Sequence, residues 1–257
     1  MGSAQRDRAK PQACASLPGS LAGRLAVVTG ASGGIGRAIA EELAGRGASI
    51  CLVGRRPETL RAIGPRMDGG AHKLIYQIDL AVDAEIESLP ANLLRDCGEV
   101  DILVHSAGII SLAAMEQASI EDFDRQIHIN LRAPYLMTRA LLPQLKSRRG
   151  QIVFINSSAG VSGVPGSGAY SVSKHGLKGL ADSLRAEVNG QVRVTSVFTG
   201  TTATPMQQSL HAAKGHAYVP ESLIQPEDVA SVVAHLLTLA RTVEVTDIHM
   251  RPARPPC

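Results

Sequence analysis

The chain has 257 residues, of which 44% are hydrophobic and 19% are charged, and this composition predicts one soluble α/β domain with a sizeable core. The net charge of +3 is mild and only 3% of the residues are aromatic, so the sequence does not indicate the basic surface or the stacking side chains of a nucleic-acid-binding domain. The longest apolar runs have about ten residues, which is too short to span a bilayer.

The four cysteines and the first residues of the chain bear on its location and its domain boundaries. Cys14, Cys51, Cys97 and Cys257 are far apart and form no CxxC motif, so neither a disulfide framework nor a metal site is expected. Reduced thiols indicate a cytoplasmic protein, with Cys51 in the core. No apolar segment follows the basic residues near the start, so a signal peptide is not expected. We expect a flexible tail over residues 1–22 and a single domain over 23–257.

The predicted elements alternate along the chain. In order they are a strand at 24–30, a helix at 35–47, strands at 48–54 and 72–80, one or two helices at 83–98, a strand at 100–108, a long helix at 119–150, a strand at 151–158, a helix at 171–190, a strand at 192–200, a helix at 226–240 and a strand at 244–250. Apolar strands that alternate with helices predict βαβ units and a parallel sheet covered on both faces. The predicted fold is α/β, with a single Rossmann-type doubly wound parallel sheet of about seven strands.

A glycine-rich turn, TGASGGIG at residues 29–36, lies between the first strand and the first helix. Gly30 permits a sharp turn, and Gly34 and Gly36 let the backbone approach a diphosphate at the helix N-terminus, where free N–H groups favour an anion. A tight turn without a ligand would use similar residues. The position of the motif in a βαβ unit favours dinucleotide binding.

The end of the second strand predicts which dinucleotide is bound. A carboxylate that binds the ribose 2′-hydroxyl of NAD normally stands there, but this chain has Gly54 followed by Arg55 and Arg56. No carboxylate repels a 2′-phosphate, and two guanidinium groups are available to pair with it. The sequence therefore favours NADP(H), the alternative being two solvated arginines on a loop.

Tyr170 and Lys174 stand four residues apart in the stretch AYSVSKHGLKG, so they share one face if this segment is helical. A phenol alone stays protonated at neutral pH, but a nearby ammonium favours the phenolate and predicts a lower pKa for Tyr170. Such a pair suits acid–base work. A solvated lysine and an interface tyrosine are the alternatives.

Taken together, these motifs resemble the classical short-chain dehydrogenase/reductase family over residues 22–250. The resemblance rests on Thr29-Gly30-x-x-x-Gly34-x-Gly36, on Asp79-Leu80, on the turn HSAG at 105–108, on Ser157 in SSAG, on Tyr170-x-x-x-Lys174, on Asn130, and on Thr204 in FTGTTATPM. It implies an oxidoreductase that interconverts a carbonyl and a secondary alcohol by hydride transfer. A sugar-nucleotide epimerase of the same superfamily fits less well, because its typical Thr-Gly-x-x-Gly-x-x-Gly spacing is absent.

The resemblance also assigns roles to individual residues. Tyr170 would be the acid–base group, Lys174 would tune it and hold the nicotinamide ribose, Ser157 would bind the substrate oxygen, and Asn130 would take part in a proton relay. The implied cofactor-binding set is Gly30, Ser32, Gly34, Ile35, Gly36, Arg55, Arg56, Asp79, Leu80, Ser106, Ala107, Gly108, Tyr170, Lys174, Gly200, Thr202 and Thr204. No metal is implied.

Three positions depart from the family pattern. His105 and Ser106 replace two asparagines that brace the turn after the fourth strand, which predicts looser cofactor contacts. Thr199 replaces a proline, so the following loop is expected to be less rigid. A dinucleotide-binding sensor or scaffold with little catalytic activity therefore stays as the alternative function, although it would not need Ser157, Tyr170 and Lys174.

Two further expectations concern the substrate and the assembly. Residues 109–118, 159–168 and 201–225 are expected to line a moderately apolar substrate site, with 201–219 as a mobile lid. Apolar residues on the two long helices, among them Leu136, Leu141 and Leu177, exceed what one sheet face needs. Helices of this kind pair between subunits in the family, so the resemblance implies a homodimer or homotetramer that acts on a small molecule.

Overall fold

The computed structural model describes residues 19–63 and 72–253. Residues 1–18, most of the predicted tail, lie outside the described residues, as do Cys14 and Cys257. In chain order the elements are β1 (Leu25–Thr29), α1 (Gly34–Gly45), β2 (Ser49–Gly54), α2 (Pro57–Ile63), β3 (Lys73–Gln77), α3 (Asp83–Asp96), β4 (Ile102–His105), α4 (Ile120–Ile127), α5 (Ala133–Ser147), β5 (Gln151–Ser157), α6 (Gly168–Val188), β6 (Arg193–Thr199), α7 (Pro205–Ala213), α8 (Pro226–Thr238) and β7 (Asp247–Met250).

The seven strands form one parallel sheet in the order β3-β2-β1-β4-β5-β6-β7, which confirms the predicted fold class. The order reverses between β1 and β4, and this point of a doubly wound sheet is where a crevice opens at the carboxyl ends of the strands. All five residues of β1 are buried, because its apolar side chains face helices on both sides of the sheet.

Two hydrophobic clusters cover the two faces of the sheet. One joins α1 and α8 to alternate strand residues such as Val28 and Ile50, and the other joins α3, α5 and α6 to the intervening ones, such as Val27 and Cys51. Cys51 is fully buried, as expected. The alternation follows from the two-residue period of a strand, which sends successive side chains to opposite faces.

The long helix predicted at 119–150 is interrupted. Ser119 caps α4 by accepting a hydrogen bond from the Asp122 backbone N–H at 3.1 Å, but His128–Arg132 is a π-helical segment that separates α4 from α5. The segment contains Asn130, whose side chain is completely buried. Widened turns of this kind often occur at functional sites.

The structure decides one open alternative, adds one helix and overturns one expectation. Residues 83–96 form one helix despite Pro90, and α2 was not predicted although Pro57 occupies its first turn, a favoured place for proline. Leu136, Leu141 and Leu177 were expected to pack against another subunit, but they are buried within the single chain. They fill the core between α5, α6 and the sheet, so they provide no evidence for an oligomer.

Within the described ranges, no helix combines the length and the apolar character that crossing a bilayer requires. The same ranges contain no group of three or more His, Cys, Asp or Glu side chains placed to hold a metal ion.

Candidate active site

A crevice of about 1830 Å³ opens along the carboxyl edge of the sheet. Drug-sized ligands fill pockets of roughly 300–1,000 Å³, so this crevice is large enough for a dinucleotide and a second molecule together. It brings together all the predicted cofactor-binding residues and three of the four predicted catalytic residues, Ser157, Tyr170 and Lys174. The fourth, Asn130, lies buried behind them.

The glycine turn between β1 and α1 has the close packing that the motif predicted. A Cβ atom on Gly30 would lie 2.7 Å from the Ala107 backbone, and one on Gly36 would lie 2.5 Å from the Gly30 carbonyl oxygen. Gly30 and Gly34 also have φ values of 68° and 55°, which favour glycine. The turn thus leaves the N-terminus of α1 open to the crevice, where its free N–H groups suit a diphosphate.

At one end of the crevice, β2 finishes at Gly54, and Arg55 and Arg56 follow. Both arginines are exposed, and neither makes a side-chain hydrogen bond or ion pair with another residue in the described part of the chain. Asp79 and Leu80 line the same end after β3. The Asp79 carboxylate accepts a hydrogen bond from the Ala81 N–H at 3.0 Å, so it shapes its own turn.

The turn after β4 is braced by Thr29, a residue of the glycine motif to which the sequence assigned no separate role. The Thr29 hydroxyl oxygen accepts hydrogen bonds from the backbone N–H groups of Ser106 and Ala107, each at 3.1 Å. His105 points away from the crevice, is 3% exposed, and shares a hydrogen bond of 2.8 Å with the Thr138 hydroxyl. The loss of the two asparagines therefore does not leave this turn without support.

Ser157 and Tyr170 face each other across the crevice. Ser157 is the last residue of β5, Tyr170 lies in the first turn of α6, and both side chains line the crevice. The Ser157 hydroxyl also accepts a hydrogen bond from the Ala159 N–H at 3.1 Å, which fixes its position. The pair therefore presents two hydroxyl groups to one point of the crevice, an arrangement that can bind a carbonyl or alcohol oxygen.

Lys174 follows Tyr170 by one turn of α6, and its ammonium is 5.8 Å from the centre of the tyrosine ring. It is 5% exposed and donates a hydrogen bond to the Ile155 carbonyl at 3.1 Å. Burial lowers the pKa of Lys174 to about 8, because the desolvated ammonium is penalised. The predicted proximity of the tyrosine and the lysine is confirmed.

The predicted decrease in the pKa of Tyr170 is wrong for this structure. Burial raises the pKa of the phenol above its ordinary value, and the neighbouring Ser157 hydroxyl offsets this only in part. Desolvation, which penalises the charged phenolate, is the larger of these two effects. Tyr170 is therefore protonated at neutral pH, the state in which a phenol can donate a proton.

The Asn130 side chain connects two segments that border the crevice, the turn after β4 and helix α6. Its amide accepts a hydrogen bond from the Ile109 N–H at 2.8 Å, donates to the Ile109 carbonyl at 2.9 Å, and donates to the Ser173 hydroxyl at 3.0 Å. Both amide hydrogens are used, which locks the side chain between the turn after β4 and helix α6. A part in proton transfer stays a prediction.

The segment after β6 departs from the expected loop. Thr204 caps a helix, α7, by accepting a hydrogen bond from the Gln207 N–H at 3.3 Å. Gly200 and Thr202 line the crevice before it, and the Gly200 N–H donates to the Met250 carbonyl at 2.8 Å. Thr199, in place of the family's proline, donates to the Asn156 carbonyl at 3.3 Å. No residue of α7 is fully buried, so the helix rests on the crevice only lightly.

The sequence of the chain is similar to that of one known protein family. Residues 24–215 match the family described as short chain dehydrogenase. A 3-oxoacyl-[acyl-carrier-protein] reductase, FabG, of Rickettsia felis is 36% identical over 84% of this chain and 90% of its own length. A glycine betaine reductase, ATRR, of Emericella nidulans is 32% identical over 93% of this chain, which spans 19% of that longer protein.

The chain belongs to the short-chain dehydrogenase family. Among solved structures, an alcohol dehydrogenase from the archaeon Thermococcus sibiricus, complexed with 5-hydroxy-NADP, superposes with a TM-score of 0.83 at 28% identity, covering 91% of this chain and 99% of the other. Several other similar structures are also NADP complexes, which agrees with the predicted cofactor. The family consists of oxidoreductases, so the predicted family and class of activity are confirmed.

Two supporting residues of this short-chain dehydrogenase were not singled out from its sequence. The Asn156 side chain accepts from the Ser157 N–H at 2.8 Å and donates to the Lys174 carbonyl at 3.2 Å, so it ties β5 to α6. Ser173 links Asn130 to the Tyr170 carbonyl, to which it donates at 2.7 Å. A signal was available, because both polar residues are neighbours in sequence of predicted catalytic residues.

Proposed function

We propose that this short-chain dehydrogenase is an NADP(H)-dependent oxidoreductase that interconverts a carbonyl and a secondary alcohol on a small molecule. The observation that carries the proposal is the meeting of Ser157, Tyr170 and Lys174 in the same crevice as the glycine turn of residues 30–36. Two hydroxyl groups and a buried ammonium at the open end of a dinucleotide-sized crevice suit proton transfer beside a hydride donor.

The residues that would hold the cofactor follow from the shape and charge of the crevice. The N-terminus of α1 at Gly34 and Gly36 suits the diphosphate, since it borders the crevice and a Cβ at Gly36 would collide with the Gly30 carbonyl that shapes the turn. The guanidinium groups of Arg55 and Arg56, which pair with no other residue that the structure describes, suit a 2′-phosphate, and this favours NADP(H). When bound, the nicotinamide supplies or accepts the hydride.

The side chains of the chain itself handle the proton. In the reductive direction the protonated phenol of Tyr170 donates its proton to the substrate oxygen, while the Ser157 hydroxyl binds that oxygen and stabilises the developing negative charge. The Lys174 ammonium stabilises the phenolate that remains, since opposite charges attract more strongly in a buried site. Asn130 keeps helix α6 and the turn after β4 in register, and we assign it that supporting role together with the predicted relay.

The alternative function is a dinucleotide-binding sensor with little activity. Comparing the wild type with Tyr170→Phe separates the two functions. We expect the wild type to oxidise NADPH in the presence of members of a panel of ketones and aldehydes, and the variant to lose about 10²-fold or more of the turnover while binding NADPH as before. Tyr135→Phe on the exposed face of α5 serves as the matched control. An active Tyr170→Phe enzyme would contradict the assigned chemistry, and a wild type that binds NADPH but reduces no carbonyl would favour the sensor.

A further inference from the structure

One face of helix α7 borders the crevice and changes along its length from apolar to cationic. Met206, Leu210 and Lys214 follow one another at intervals of four residues, so they lie on one side of the helix and its C-cap, and all three line the crevice. The eight residue-to-residue steps from Met206 to Lys214 span about 12 Å at 1.5 Å per step. A molecule that lies along this face meets apolar side chains first and an ammonium at the far end.

The far end of α7 is cationic, and no carboxylate that the structure describes is paired with its lysine. Lys214 is exposed, and its ammonium makes no hydrogen bond or ion pair with another residue of the described ranges. Beside it, the His211 ring is held by a hydrogen bond from its Nδ1 to the Gln207 carbonyl at 2.8 Å, and it packs edge-on against Tyr218 at 5.5 Å. His216 lines the crevice next to them.

Carboxylates are scarce around this cationic end. The sequence has no Asp or Glu from residue 189 to residue 220. Among the described residues that line the crevice, the acidic side chains are Asp79, at the end where β3 finishes, and Asp124, beside Arg125. A cleft lined mainly by one sign of charge concentrates ligands of the opposite sign.

We infer that the substrate of the proposed reaction carries an anionic group, separated by an apolar stretch from the carbonyl or alcohol that reacts. Lys214 pairs with the anion, His211 and His216 border it, and Met206 and Leu210 contact the apolar stretch. The inference rests on the proposed function, because it places the reacting carbon at Tyr170. Lys214 is then a specificity-determining residue that acts on binding and not on the chemical step.

A pair of ligands that differ only in charge tests this inference. The kinetic pair is 7-oxooctanoate and its methyl ester, each reduced with NADPH by the wild type, Lys214→Gln, Lys214→Arg and Lys146→Gln. The last variant removes a lysine on the exposed side of α5, outside the crevice, and is the matched control. The Kd of NADPH is measured for every variant.

We expect Lys214→Gln to raise the KM for the oxo acid about fivefold, the effect of one partly exposed ion pair, with kcat and the KM for the ester unchanged. Lys214→Arg should restore the KM, and Lys146→Gln should leave it unaltered. An equal loss with the acid and the ester would overturn the inference. So would weaker NADPH binding by Lys214→Gln, because it would show that the ammonium binds a phosphate of the cofactor.

A binding measurement tests the inference even if neither ketone is reduced. That kinetic result would count against the proposed function or against the length of the ligand's carbon chain. Calorimetry on the wild type and Lys214→Gln, both with NADP⁺ present, compares octanoate, octyl phosphate and methyl octanoate. Tighter binding of either anion than of the ester, lost in Lys214→Gln, supports the inference and shows whether carboxylate or phosphate is preferred. Equal binding of all three ligands refutes it.

Discussion

Removal of the buried charge of Lys174 should make the protein more stable while it abolishes activity. The pKa of this lysine falls from 10.5 to about 8 because its ammonium is desolvated. The difference corresponds to roughly 3 kcal/mol of penalty for holding the charged form in the folded state. Lys174→Met removes the penalty but also the hydrogen bond to the Ile155 carbonyl, worth about 1 kcal/mol. The expected net gain at pH 7 is about 2 kcal/mol, or roughly 4–8 °C in Tm.

The pH dependence of this gain distinguishes charge removal from simple repacking. Below pH 8 the lysine is protonated in both states, so the wild type bears the full penalty. As the pH rises from 8 towards 10.5 the folded state loses its proton before the unfolded state does, and the stability of the wild type increases. The advantage of Lys174→Met should therefore shrink by about 2 kcal/mol between pH 7 and pH 9.5.

Urea denaturation of the two proteins at pH 7, 8.5 and 9.5 measures the effect. Lys178→Met is the matched control, because this lysine lies on the same helix, is 39% exposed, and pairs with Asp182 at 2.6 Å. It should show no gain at pH 7. If the difference in the free energy of unfolding between Lys174→Met and the wild type stays constant with pH, the reasoning is refuted, because burial would then not penalise the ammonium.

Three other predictions concern the cofactor, the assembly and α7. Because Arg55 suits a 2′-phosphate, NADPH should bind at least about tenfold more tightly than NADH. In calorimetry, Arg55→Ala should bring the Kd values of the two cofactors closer together. An unchanged ratio of these Kd values would argue against this role of Arg55. The large apolar side chains of Ile120, Phe123 and Tyr135 are exposed by 68%, 37% and 51%, so we expect a two-fold symmetric homodimer or homotetramer. A monomer seen by light scattering at micromolar concentration would contradict this expectation. Residues 205–219 should gain protection from hydrogen exchange when NADP and a substrate analogue bind, and equal protection in both states would identify a fixed wall.

Most of the fold could be predicted from the sequence because the strands are short apolar runs that end in glycine or polar residues. β1, β2, β5 and β6 lie within one residue of the predicted bounds at each end, whereas the predicted last strand at 244–250 is reduced to Asp247–Met250 at the edge of the sheet, where pairing on one side only is weaker. The interruption at His128–Arg132 could not be predicted, since the helical periodicity continues through it and the contacts of Asn130 form only in the folded chain.

Helix α7 was missed although its start signals are present. Thr204 is a good N-cap and Pro205 suits the first turn, but Met206 and Leu210 alone do not form the wide apolar stripe that predicts a packed helix. The stripe is narrow because α7 borders a crevice and not the core. So weak an amphipathic signal predicts a loop. In the structure, Met206, Leu210 and Lys214 place an apolar and then a cationic surface beside the site.

The unusual turn after β4 shows how a departure from a family pattern can keep the geometry. His105 takes the place of an asparagine, yet its ring stacks on Phe154 at 4.9 Å and is hydrogen-bonded to Thr138, and burial lowers its pKa to about 3 so that it stays neutral. A neutral ring between a hydroxyl and an aromatic face bears no charge penalty in the core. The backbone of the turn is held independently by the Thr29 hydroxyl. The position of Ser106 and Ala107 against the glycine turn thus depends on Thr29, and the side chain at residue 105 is left free to serve the packing of β4 against β5 and α5.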